Sequence, residues 1–182
     1  MHSKIKSQTP FNIVSLAEAK NQLNIIDTGD IDIDDQINDH VNLLISVASS
    51  LAQKYTNRLL SKGVIDLLVY GETSFYLPYG DVTEDNNVIV AAVGADAKTF
   101  VFEPISQIFT FDEGQVSSFD TMKITYDAGY ADDYIPYPVK MGVLMLISTL
   151  FENREDTVVG MSVNEIPLGS KQLLDSVKLE SF

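Results

Sequence analysis

Residues 34–60 read DDQINDHVNLLISVASSLAQKYTNRLL, and the spacing of their apolar side chains decides the fold. Ile37, Val41, Leu44, Ala48, Leu51, Tyr55 and Leu59 recur at steps of three and four, which puts them on one stripe of an α-helix. The pattern predicts a helix from Asp34 to Leu60, roughly 40 Å long at about 1.5 Å per residue, as the spine of the fold with Leu44, Ala48 and Leu51 buried. Leu43, Ile45, Val47 and Ala52 widen the stripe, and leave two readings: ordinary burial, or a second surface covered by another subunit. Upstream, Ser15 and Glu18 have capping-box spacing, so Leu16, Ala19 and Leu23 share a face of a short first helix.

From Gly63 to about Asp127 the pattern changes to short runs rich in β-branched and aromatic residues, separated by turn residues. Strands are expected near Val64–Tyr70, Ser74–Leu77, Asn87–Val93, Thr99–Phe102, Gln107–Phe111 and Met122–Tyr126, with turns at Tyr79-Gly80-Asp81, Val93-Gly94-Ala95-Asp96 and Asp112-Glu113-Gly114. Pro136 and Pro138 suit the first turn of a third long helix. The stretch Asp156–Gly169 reads as a loop that orders against a partner, and a short helix follows near Ser170–Val177. The expected class is α+β, a mainly helical core with one long helix and a β-rich insertion between the second and third helices. Residues 1–182 are read as one domain: helices over 1–62, the β-rich insertion over 63–127, and helices with a loop over 128–182.

Composition excludes several chemistries. There is no cysteine, which removes disulfides, thiolate metal sites and thiol nucleophiles and suits assembly in a reducing bacterial cytoplasm. The polar N-terminus lacks the apolar core of a signal peptide, and the run Met141–Ile147 falls well short of the roughly 20 residues that span a bilayer. A net charge of −14, from 26 acidic and 12 basic residues, opposes binding to the phosphate backbone. Its ordinary effect is to keep copies soluble and apart.

Among chemical constellations, Asp30, Asp32 and Asp34 match the first ligands of a calcium loop. Position six is Asp35 in place of glycine, however, and position twelve is Val41 in place of glutamate. Carboxylates that cap a helix and complement its dipole explain the run better, with a weak adventitious cation site as the remaining use. His2 and His40 are too few for a three-histidine metal site or a conventional triad. No glycine-rich phosphate loop exists, and paired carboxylates such as Asp132-Asp133 sit in loops. The residues therefore imply no cofactor, no metal and no enzyme. Arg58 and Arg154, the two arginines, fall at expected helix C-termini, where each meets free carbonyls or reaches a carboxylate of a neighbouring subunit.

Taken in order, Val14-Ser15-Leu16-Ala17-Glu18-Ala19-Lys20-Asn21-Gln22-Leu23, Gln53-Lys54-Tyr55-Thr56-Asn57-Arg58, Tyr126-Asp127-Ala128-Gly129-Tyr130 and Phe151-Glu152-Asn153-Arg154-Glu155 resemble the head-tail connector, or adaptor, proteins of tailed double-stranded DNA phages. The resemblance runs from about Val14 to Val177. It rests on Leu16, Lys20, Leu23, Tyr55, Thr56, Arg58, Gly129, Tyr130, Lys140, Glu152, Asn153 and Arg154, with Ile166-Pro167-Leu168-Gly169 and Leu173-Leu174 closing the match. Departures are Asn24 where a basic residue is common, Gln53 for an acid, Gly142 for alanine, and no arginine after Leu173-Leu174. The resemblance implies a structural virion protein of the head-tail neck, which closes into a homo-oligomeric ring of about twelve copies. Such a ring docks on the portal protein, meets the next neck or tail protein, and lets DNA pass without specific binding. The other class open at this point is a tail or baseplate accessory module that binds a ligand through its aromatic-rich β region.

Overall fold

A computed structural model of the chain describes residues 2–8, 12–80, 88–91, 100–103, 108–112, 114, 120–130, 134–153 and 168–179. In chain order the elements are β1 (His2–Gln8), α1 (Leu16–Leu23), α2 (Ile31–Thr56), β2 (Gly63–Tyr70), β3 (Ser74–Tyr76), β4 (Val88–Ala91), β5 (Phe100–Glu103), β6 (Ile108–Phe111), β7 (Thr121–Ala128), α3 (Tyr137–Glu152) and α4 (Leu168–Asp175), an α+β arrangement. They divide into two compact units: a β unit of Met1–Pro10 with Asn57–Tyr134, and a helical unit of Phe11–Thr56 with Ile135–Phe182.

In the β unit the strands pair antiparallel as β1-β2-β7-β4 in one sheet and β3-β6-β5 in a second. Alternation along β2 and β7 turns Ile65, Leu67 and Val69 inward opposite Tyr126, Ile124 and Met122. These six share one buried cluster with Leu59, Leu77, Phe75, Phe109 and Phe111. Phe109 stacks between Phe75 at 5.3 Å and Phe100 at 4.6 Å, centroid to centroid, so these phenylalanines belong to the core, whereas Tyr70 and Tyr76 are exposed. The Tyr126 hydroxyl donates to the Pro78 carbonyl at 2.7 Å, and burial pushes its phenol pKa up, which keeps it neutral. On the outer face, burial acts to raise the Asp66 pKa, but hydrogen bonds from Lys123 and Thr125 outweigh it and hold the carboxyl below its ordinary value.

In the helical unit α2 buries Val41, Leu44, Ile45, Ala48, Ser49, Ala52 and Thr56. Facing them are Val139, Val143, Leu146 and Ile147 of α3, Ala19 of α1 and Leu174 of α4. No described helix is long and apolar enough to cross a membrane.

Three expectations need correction. Helix α2 spans Ile31–Thr56 and not Asp34–Leu60: Asn57 adopts a left-handed φ of 52°, and Leu59 leaves the helix to join the core of the β unit. Leu51 is 37% exposed and points away from the core, whereas Ile45 is fully buried. The β region is not purely an insertion between helices, since β1 from the polar N-terminal stretch pairs with β2 as an edge strand. Six strands do lie between residues 63 and 128, within a residue or two of the expected bounds. The turn at residues 93–96 and the stretch Asp156–Pro167 lie outside the described residues.

Ile45→Ala should therefore destabilise the protein by about 2 to 5 kcal/mol, and Leu51→Ala by less than about 1 kcal/mol, in denaturant unfolding followed by circular dichroism.

Candidate functional site

The residues singled out by sequence and described in the structure fall in both units. They act as separate fastenings between elements. Lys20 on α1 is largely buried, its ammonium paired with Asp27 and donating to the Asn38 side-chain oxygen at 3.0 Å, so one cation ties α1, the following turn and α2 together. Asn24 ends α1 with a left-handed φ of 54°, and its N–H returns to the carbonyls of Lys20 and Asn21. That conformation suits asparagine better than a basic residue.

Lys140 approaches Glu18 at 3.9 Å and links α3 to the N-terminus of α1. There the capping box is complete: the Ser15 N–H donates to Glu18 at 2.7 Å, and the Glu18 N–H donates back to the Ser15 hydroxyl. Hydrogen bonding from the Ser15 backbone is the main cause that holds the Glu18 carboxyl below its ordinary pKa. The acidic run is used in the same way. Asp30 accepts from the N–H groups of Asp32 and Ile33, and Asp34 accepts from the Thr28 N–H at 2.8 Å, the Thr28 hydroxyl and the Gly29 N–H. The Thr28 N–H is the main cause of the lowered Asp34 pKa. Among the described residues no group of three His, Asp or Glu side chains is placed to hold a metal ion.

At the other end of α2 the Tyr55 hydroxyl donates to Asp175, and the Lys178 ammonium sits 4.6 Å from the centre of its ring. The hydrogen bond to Asp175, ahead of burial, pushes the phenol up to about 12. Glu152 is the exposed last residue of α3, and Asn153 caps it by donating its N–H and its side-chain amide to the Thr149 carbonyl. Arg154 lies outside the described residues.

In the β unit, Arg58 is placed two residues beyond α2, in extended backbone bridged to Tyr79, and not in a last helical turn. Gly129 is buried with φ 100°; a Cβ there would lie 2.0 Å from the Ser61 carbonyl oxygen and 3.1 Å from that of Leu59. The Ala128-Gly129-Tyr130 motif thus meets the segment that follows Arg58, backbone against backbone. Tyr130 beside it is half-buried.

Of the residues that widen the apolar stripe, Leu43 at 61% and Val47 at 40% exposure form an outward face of α2, joined by Leu51 at 37%, while Ile45 and Ala52 are buried. The apolar breadth of residues 43–52 was the available signal, and it did not say which members turn outward.

No family model matches the chain, and no curated protein matches it. Solved structures do share its fold. A chain in the neck of an empty gene transfer agent particle, computed with C6 symmetry, aligns over 100% of this chain and 97% of its own with a TM-score of 0.73 and 17% identity. A chain from the virion of the native gene transfer agent particle aligns over the same shares with a TM-score of 0.71 and 14% identity. One from the neck of the native particle, computed with C12 symmetry, again covers 100% and 97%, with a TM-score of 0.67 and 14% identity. At such identities the likeness is one of fold.

Two outcomes follow from the fastenings. Gly129→Ala should destabilise by about 3 kcal/mol or more, because a fixed backbone carbonyl occupies the space its methyl needs and the φ is strained for any L side chain; chemical denaturation measures it. Glu18 and Asp34 have folded pKa values below their unfolded ones, so they add stability above the ordinary carboxylate range and lose it as pH falls through their lowered values. The thermal midpoint should drop on acidification below about pH 4, and an Asp34→Asn variant, less stable at neutral pH, should show a shallower drop.

Proposed function

We propose that the chain is a structural subunit of the neck of a tailed phage-like particle, a head-tail connector that closes into a ring, docks on the portal protein and passes DNA to the next neck or tail protein. The observation that carries this reading is the end-to-end fold match to chains of gene transfer agent necks, over 100% of this chain and 97% of theirs. The order of the sequence motifs supports it independently, and the symmetries of those necks, C6 and C12, suit a ring of identical copies. Lys20, Tyr55, Arg58, Gly129, Tyr130, Lys140, Glu152, Asn153 and Arg154 serve in this reading to hold the shape the ring requires, by the fastenings described above where these are seen.

Each copy brings a charge of −14. Crowding such copies side by side sums repulsions across distances shorter than the Debye length of about 10 Å at 0.1 M salt. The isolated protein should therefore be largely monomeric in dilute low-salt buffer and form rings at high concentration, at raised salt or on a portal template. Negative-stain images should show annular particles, and sedimentation velocity should show assembly increasing with salt. Compact monomers under every condition, binding glycans, would instead favour a tail or baseplate accessory module.

A further inference from the structure

Along the helical unit, charge is distributed unevenly on α2 and the turn before it. From Asp27 to Asp39 there are six aspartates and no basic residue, while from His40 to Thr56 there is no carboxylate and the single formal charge is Lys54. In a chain with 26 acidic residues, an exposed helix face free of carboxylates stands out, and that same face carries Leu43, Val47 and Leu51 outward at intervals of four. Lys54, one turn on, is exposed and closes the stripe. The acidic half is built as its complement. Asp27, Asp30 and Asp34 are engaged by Lys20 and by the turn and the helix start, whereas Asp32, Asp35 and Asp39 are exposed on the helix surface. Beside them Ile31 is 77% exposed and Ile33 47%.

We propose that the Leu43–Val47–Leu51 face of one copy receives the Ile31-to-Asp35 turn of a second copy of this chain, apolar side chains meeting at the centre and Asp32 and Asp35 reaching Lys54 at the edge. The centres of the two patches lie about 21 Å apart along the helix at about 1.5 Å per residue, so each copy offers one while receiving at the other. A contact between two different patches is heterologous, the kind that rotation closes into a ring. The pairing also sets a local attraction against the general repulsion between acidic copies. This inference rests on the ring reading above and names the surface that would carry it.

The test is sedimentation velocity on the full chain under the concentration and salt at which the wild type assembles. Leu43→Glu combined with Val47→Glu should abolish rings and leave an unaltered thermal melt, since both side chains are exposed. Lys54→Glu alone, or Asp32→Lys with Asp35→Lys, should raise the half-assembly concentration by about fivefold, and the three charge reversals together should return it to within about twofold of wild type. Rings that persist in the Leu43→Glu, Val47→Glu protein, or combined reversals that assemble no better than the separate ones, overturn this interface while leaving the ring intact as a reading. A wild type that stays monomeric at every concentration and salt overturns both.

Discussion

The inward face of α2 is the surface on which α1, α3 and α4 are all assembled. Larger branched residues, Val41, Leu44 and Ile45, line its first half, and smaller ones, Ala48, Ser49, Ala52 and Thr56, line the second. The small residues let neighbouring chain come close. The Ser49 hydroxyl accepts the Ile13 N–H at 3.3 Å, and the Thr56 carbonyl accepts the Leu179 N–H at 2.9 Å. The same economy recurs between α3 and α4, where a Cβ on Gly142 would stand 3.1 Å from the buried Leu174 side chain. The glycine at position 142 thus has a packing reason. Tight packing of this kind leaves few alternative arrangements of the helices.

The sequence carried the class of the fold because its two periods are strong, and it lost detail where a period was carried too far. The stripe read as Ile37, Val41, Leu44, Ala48, Leu51, Tyr55 and Leu59 follows a repeat of seven, which drifts about 20° per heptad from the true helical period. Val41, Leu44 and Ala48 fall on the buried face and Leu51 has rotated off it, while the observed set moves on through Ile45, Ala52 and Thr56. Strand β1 was hidden for a different reason: its side chains are mostly exposed, and Lys4 and Lys6 give it the charged edge that guards a sheet against further pairing, so it has no apolar signature. Of the candidate residues, Gly129 was legible as special but its cause was not, since the Ser61 carbonyl it accommodates lies far off in sequence. The partners of Lys20 and Tyr55 are likewise set by tertiary packing, which no local pattern encodes.

The ionic groups of the helical unit serve chiefly to shape turns. Glu18 completes a cap, Asp30 and Asp34 order the approach to α2, and Lys20 and Lys140 hold α1 from two sides. An acidic chain must place its negative charge somewhere, and the positive ends of helices are the places where it stabilises the fold.

The helical unit is discontinuous in the chain, built from Phe11–Thr56 and Ile135–Phe182 with the β strands made in between. During synthesis α2 emerges complete, yet its apolar face has no α3 to cover it until the strands have followed, an interval on the order of several seconds at about 5 to 20 residues per second. The β unit can pair β1, β2 and β7 and close its aromatic core in that time. Chain order thus makes the strands of the β unit available before α3 and α4, the elements that cover α2.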